Sequence, residues 1–502
     1  MKNAFSEDQR SFLNDFISSP LCKESYENLA KKITVNDVLE TLIATENQND
    51  ISLIIEATKR FITLGIIDDV LIDNEESIEI LRKGSVSKDA SIRLLIAYII
   101  HSLSNNTKTC KKLCENGLYL AIGTLIKDKD ISIGESASKT LKQIANNFPE
   151  YVYSDPLISI IKSDFRSLKD ETRLRILDSY ISIGSISEEL FELCQKKSDI
   201  YLLALKEYFT DDILLKLVSI KLLEDMGEYK WGVEFIVRNS TPELLIKDLV
   251  DPMFDDDIKI SIVYLISKII NNHPEMSNSV LNMLNKSFLN IFKEFMLSYS
   301  QNNDLNRTIC AINSWGLFSI RYSSFQSLIS EWEGSIQKML EYLKNSNSDI
   351  SLTSLNSWVV LFESSEIKDI INNLKTSFNF KKSIEDQLIP TLLTDIISKP
   401  FPENRTLIYR LLTLMIPHFS CVTSGLCSNS KLRELILNSN SDFNKDLLYV
   451  KYDMIKQIMK YDKEVVKSLS DEHFYRSMEE YVGFGPFYKS QSAEMRVQDS
   501  TM

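Results

Sequence analysis

The feature that most constrains this chain is a recurrence. An acidic residue opens a strongly periodic apolar segment of four to five helical turns, and it does so again and again: at Asp50, Asp89, Asp130, Asp170, Asp212, Asp257, Asp304, Asp349, Glu403 and Asp446. Neighbouring openings lie 39 to 47 residues apart, with one longer step of 54 before Glu403. A carboxylate at a helix start accepts hydrogen bonds from the unpaired first backbone N–H groups and sits at the positive end of the helix dipole. The residues after each opening are helical in spacing. Ile92, Leu95, Ile96 and Ile99 stand three and four apart and share one face, as do Ile258, Ile262, Leu265, Ile266 and Ile269. Two copies end alike, in Ile144-Ala-Asn-Asn-Phe-Pro-Glu150 and Ile269-Ile-Asn-Asn-His-Pro-Glu275, where paired Asn and Pro predict a helix stop.

A period near 40 to 47 residues is that of HEAT and armadillo units. The chain is therefore expected to be all-α, a HEAT/armadillo-like helical-repeat solenoid in which stacked neighbours bury stripes that no single unit could bury alone. Composition agrees. Only 13 glycines and 11 prolines occur in 502 residues, too few for the turns of a β-sandwich or the phosphate loops of a nucleotide-binding α/β fold. Residues 1–46 read as an N-terminal helical cap, 47–489 as repeats forming one curved solenoid, and 490–502, small and polar, as a disordered tail. The polar stretch Ser298–Asp304 reads as a loop between repeats. Trp315, Trp332 and Trp358, spaced helically among apolar residues, read as core.

Charge and cysteine usage narrow the partners and the compartment. With 57 basic and 70 acidic residues the net charge is −13, and the basic residues form only isolated pairs such as Lys111-Lys112. Neither nucleic acid nor an anionic membrane is an expected partner. The acidic excess suits solubility, or a partner with a basic face. Seven cysteines without framework spacing are expected to be free thiols in a reducing compartment. The N-terminus lacks a signal-peptide pattern, and the longest uncharged stretch, Leu411–Ser430, is broken by Pro417 and Gly425. The expected location is the cytoplasm or the nucleus.

Chemistry is sparse. Each of the four histidines, His101, His273, His418 and His473, is expected near a helix end, and none forms a metal-binding pair. Cys110 and Cys114 share a helix face but lack further ligands, and a buried pair of thiols is the better reading. Asp255-Asp256-Asp257 sits where a helix start wants negative charge. No catalytic residue, cofactor site or metal site is expected, and the chain reads as a non-enzyme that binds other proteins. Candidate partner-binding residues are Arg93, Arg173 and Arg307. Each comes three or four residues after an opening acid, as Arg405 comes two after Glu403, a pattern similar to the Asp-to-Arg pattern of HEAT-like second helices. Ordinary intrahelical ion pairs are the competing reading. The aromatic run after Tyr481 adds Phe484, Phe487 and Tyr488, which Gly483, Gly485 and Pro486 are expected to place on irregular backbone. They either cap the last repeat or form a contact patch.

The C-terminal quarter resembles the proteasome non-ATPase regulatory subunit 5 family. The matching residues are Lys399-Pro-Phe-Pro-Glu403, Lys451-Tyr-Asp-Met-Ile-Lys456 and, most specific, Tyr481-Val-Gly-Phe-Gly-Pro-Phe-Tyr-Lys489, whereas Ser420–Phe443 departs by being richer in Ser and Asn. The resemblance implies a chaperone for assembly of the proteasome regulatory-particle base. Such a protein binds AAA ATPase subunits together with a large non-ATPase scaffold subunit, masks an ATPase face, and leaves before the mature particle forms. A generic helical-repeat adaptor, for transport or phosphatase scaffolding, is the alternative.

Overall fold

The computed structural model describes residues 5–45, 47–66, 71–273, 286–374, 380–399, 401–437 and 444–487. Among these, every regular element is helical. All ten acidic openings fall at helix starts, but they act in two ways. Asp89, Asp130, Asp212 and Asp304 are true N-caps whose carboxylates accept a first-turn N–H, as of Ser91 or Leu215. The other six stand inside the first turn. There Asn47, Asp255, Asn347 and Asn444 supply the side-chain cap instead, while Lys169 and Phe401 precede their helices without one.

These helices are α1 (Gln48–Thr63), α2 (Ala90–Ser104), α3 (Ile131–Asn147), α4 (Asp170–Gly184), α5 (Ile213–Met226), α6 (Asp256–Asn272), α7 (Leu305–Ser319), α8 (Ser348–Glu363), α9 (Pro402–Met415) and α10 (Lys445–Tyr461). The chain divides into two compact units, Met1–Phe235 and Ile236–Met502. In the first, Glu7–Ser18 packs on α1, and α1 to α5 pack each on the next. A second row, Val35–Ala44, Glu75–Ser85, Tyr119–Leu125 and Asp155–Lys162, runs alongside in the same order. In the second unit, α6 to α10 stack likewise, beside Thr241–Val250, Lys286–Asn302 and Gly334–Leu343 and then Ile389–Ser398, Ser430–Leu437 and Glu472–Phe484. Short connecting helices, among them Thr107–Glu115, Glu188–Lys197, Tyr322–Glu331 and Cys421–Ser428, make several repeats three-helix units.

The apolar stripes lie between the rows. Ile92, Leu95, Ile96 and Ile99 of α2 and Ile258, Ile262, Leu265, Ile266 and Ile269 of α6 are all buried. Each such side chain contributes about 1.5–3 kcal/mol relative to exposure, so the stripes supply most of what holds one repeat to the next. Trp315 and Trp358 are fully buried with ring centroids 5.1 Å apart. Trp332 is only half-buried, because it lies just past the end of Tyr322–Glu331.

One expected loop is a helix. Ser298–Asn302 form the end of Lys286–Asn302, and only Asn303, at φ 56°, and Asp304 turn the chain. The hydroxyl of Ser298 donates to the Phe295 carbonyl one turn back. A serine that satisfies itself on its own helix need not signal a loop.

Candidate functional site

The arginines singled out by their spacing are held within the chain. Arg93 donates from Nε and Nη2 to the two oxygens of Asp128, at 2.5 and 3.1 Å, and from Nη1 to the carbonyl of Ser87 at 2.8 Å. Arg173, on α4, repeats the pattern. Nε and Nη2 each donate to Glu207 at 3.0 Å, Nη1 donates to the Leu168 carbonyl at 2.9 Å, and Asp170 lies 2.7 Å away. In both cases the guanidinium ties the loop before its own helix to an acid that precedes the next helix of the row. Burial alone pushes the Asp128 carboxyl up, but the bonds from Arg93 and from the Asp130 N–H outweigh it, and the group sits below its ordinary value. Arg307 works backwards: it pairs with Asp256 at the start of α6, with Glu294 at 3.6 Å and with Asp304 at 3.4 Å. The terminal helix joins the same scheme through Arg10, which grips buried Asp50 with bonds of 2.7 and 2.9 Å. The pairs therefore run chiefly between repeats, where a bidentate Arg–carboxylate fork also fixes register.

At the C-terminal end, Glu472–Phe484 runs through Gly483, further than the glycine–proline pattern predicts. An isolated glycine weakens a helix without ending it. The stop is Gly485, at φ 93° and ψ −178°, a conformation open almost only to glycine. Tyr481 is fully buried, 6.2 Å from the Tyr452 ring, and its hydroxyl donates to the Pro486 carbonyl at 3.4 Å. Tyr452 in turn donates to the Val482 carbonyl at 3.2 Å. Beyond this anchored ring, Phe484 is 75% and Phe487 54% exposed, the latter edge-on to Tyr449 at 5.6 Å. Tyr488 lies outside the described residues. One end thus combines a capping aromatic with two rings turned to solvent.

The remaining candidates for chemistry lie at helix ends or inside the packing. His101 is in the last turn of α2, with Thr140 Oγ1 3.3 Å from its Nδ1, and burial together with Lys139 lowers its pKa. Burial and Lys368 lower that of His418. His273 caps the end of α6. His473, by contrast, stands in the first turn of Glu472–Phe484, at the opposite helix end. Cys110 and Cys114 are buried. Asp255 caps α6 and Asp256 pairs with Arg307, so the aspartate triplet is used at a helix start. Among the described residues no group of three His, Cys, Asp or Glu is placed to hold a metal ion, and no helix is long and apolar enough to cross a membrane.

Sequence reasoning passed over one surface. Phe209, Ile213, Leu214 and Val218 are exposed, at 63, 47, 74 and 42%. The available signal was the run Ile213-Leu-Leu-Lys-Leu-Val218, apolar around more than the one face that α5 needs for packing.

A family model described as "Proteasome non-ATPase 26S subunit" matches residues 7–499. No curated protein matches the chain. Among solved structures, yeast importin-β (Kap95p) is similar at 10% identity and a TM-score of 0.57, over 93% of this chain and 55% of that one. Kap95 in its complex with Nup1 is similar at 10% identity and a TM-score of 0.57, over 94% and 58%. The karyopherin Kap121p, bound to the SUMO protease Ulp1p, is similar at 11% and 0.50, over 96% and 51%. The chain spans about half the length of these structures. At such identity the likeness establishes the fold, a HEAT/armadillo-type helical-repeat solenoid, and nothing of what the chain binds.

Proposed function

The chain belongs to the proteasome non-ATPase 26S subunit family, and on that premise we propose that it is a non-enzymatic chaperone for assembly of the regulatory-particle base. It binds AAA ATPase subunits, in company with a large non-ATPase scaffold subunit, and is absent from the mature proteasome. It works in the cytoplasm or nucleus by covering an ATPase face until correct assembly displaces it.

The observation that carries this reading is the family match along nearly the whole chain, residues 7–499. The C-terminal end supports the finer part. Its aromatic run resembles that of the assembly-chaperone family, and it holds Phe484 and Phe487 at the surface on a glycine-fixed turn. Exposed aromatic side chains are common anchors of protein interfaces. A non-ATPase family and a helical-repeat fold are both non-catalytic kinds, which supports a binding role.

Tagged chain expressed in cells and purified at physiological salt tests the proposal. ATPase subunits of the base are expected to co-purify in stoichiometric amount, and intact proteasomes isolated in parallel are expected to lack the chain. Recovery of the chain at full occupancy in mature particles refutes the chaperone reading, and co-purification with transport cargo but not ATPases supports the adaptor instead.

A further inference from the structure

After Asp155–Lys162 the chain makes a short turn, Phe165–Ser167, entered through Asp164 at φ 58° and ψ 11°. The left-handed residue reverses the chain so that Phe165 drops into the core while Arg166 stays outside. Two open clefts flank this turn, about 430 and 400 Å³ in volume, sharing Phe165, Arg166 and Leu203. Together they have the size of a ligand-binding depression. Leu203, Phe209 and Leu215 give it an apolar wall.

The charges of the two clefts are unequal in availability. Asp199 is matched to Lys162 at 2.7 Å, and Glu207 to Arg173 by two bonds of 3.0 Å. Asp164, an exposed carboxylate on the second cleft, has only a longer-range pull on Lys127, so one acid stands against the two cations that follow. Arg166 and Lys206 are exposed, and among the described residues neither contacts a carboxylate. Lys206 adds only a longer-range pull on Asp199. In a chain with a net charge of −13, two uncommitted cations stand beside an aromatic ring that is 63% exposed.

We propose that these joined clefts dock a polypeptide segment of a protein partner in which carboxylates flank an apolar or aromatic side chain. The apolar side chain lies against Leu203, Phe209 and Leu215, and the carboxylates pair with Arg166 and Lys206. The charges select this occupant. A basic segment meets two like charges at the mouth, and a phosphate backbone brings no side chain to the apolar wall of Leu203, Phe209 and Leu215.

The test is fluorescence anisotropy on the full chain with three fluorescein-labelled probes: the peptide Glu-Asp-Phe-Glu-Leu-Asp, its counterpart Lys-Lys-Phe-Lys-Leu-Lys, and a ten-nucleotide oligouridine. The acidic peptide is expected to bind saturably, at least about tenfold more tightly than the other two, and to weaken as salt is raised. The double variant Arg166→Glu, Lys206→Glu is expected to lose at least about tenfold in affinity, and Phe209→Ala to lose affinity at unchanged salt dependence. All three side chains are exposed or line open clefts, so thermal unfolding of the variants should track the parent. No saturable binding of the acidic peptide, equal or tighter binding of the basic peptide or the RNA, or indifference to the charge reversal overturns the proposal. The proteasome reading is decided separately, by capture of ATPase subunits on the wild-type chain.

Discussion

Arg93, on α2, and Asp128, in the loop that leads into α3, form a two-pronged ion pair whose side chains are only 12% and 7% exposed. Such a pair is costly to break from one side, because the surviving charge stays in a place that water reaches poorly. Arg93→Ala is expected to destabilise the first unit by about 2–3 kcal/mol. The direction of the Asp128 shift sets the pH dependence. Its carboxyl is held below the ordinary range in the folded chain, so its stabilisation is full above the unfolded value of about 4 and is lost as pH falls through the folded one. Urea unfolding of the parent and Asp128→Asn should therefore differ most at pH 7, with the gap narrowing as pH falls below the unfolded value of about 4. A gap that is constant over that range contradicts the assignment.

Capping divides the ten acidic openings into two groups that can be told apart experimentally. Asp89, Asp130, Asp212 and Asp304 accept first-turn N–H bonds at 2.8 to 3.1 Å. Replacing any one by Ala should cost about 1 kcal/mol. Asp446 stands in the first turn behind the cap of Asn444, which bonds the Asp446 N–H at 2.8 Å, so Asp446→Ala should cost only a few tenths, about the helix-dipole contribution. Amide hydrogen exchange in the opening turns of α2 and α10 reads the difference directly. Equal loss of protection at both would show that position in the first turn, not hydrogen bonding, is what matters.

The contrast marks how far the sequence reaches. Helix starts and apolar stripes repeat within a few residues of one another, so period and core, from Asp50 to Asp446, could be read without a structure. The identity of the cap could not, because Asn47 or Asn347 replaces the acid by a shift of two or three residues that depends on backbone angles. Nor could the destination of the arginines: the acid that Arg93 grips is 35 residues on, and the one that Arg307 grips is 51 back. Those contacts exist only once repeats are stacked. The helix through Ser298 and Gly483 and the exposed apolar side chains around Phe209 went unread for a related reason. Local polarity, a glycine, or an apolar run each has more than one structural outcome, and the neighbours choose among them.

Close packing of α7 on α8 depends on Gly316. A methyl group there would come within 3.0 Å of the Ser357 Cβ and 3.1 Å of its Cα, and the Ser357 hydroxyl donates to the Ile312 carbonyl at 2.9 Å across the same contact. In an isolated helix Gly→Ala gains about 1 kcal/mol. Here the obstruction includes backbone, so the helices must part, and Gly316→Ala should be net destabilising by about 1–3 kcal/mol. Trp315 and Trp358 flank the contact, and their fluorescence should shift to longer wavelength as they loosen. A melting temperature equal to or above that of the parent would show that the two helices can separate without penalty.

The C-terminal aromatics separate stability from binding. Tyr481 is wholly buried against Tyr452, so Tyr481→Ala should cost about 3–5 kcal/mol, comparable to other large aromatic deletions. Phe484 and Phe487 are mostly in solvent, and their joint replacement by Ala should change stability by less than about 1 kcal/mol. If the exposed rings meet the ATPase partner, that near-silent double variant should nevertheless retain much less ATPase subunit in a pull-down than the parent does. The two readouts must diverge for the contact to hold. Undiminished capture by Phe484→Ala, Phe487→Ala would assign the tail to capping alone, with Tyr481 as its working residue, and would move the partner-binding surface elsewhere on the repeats.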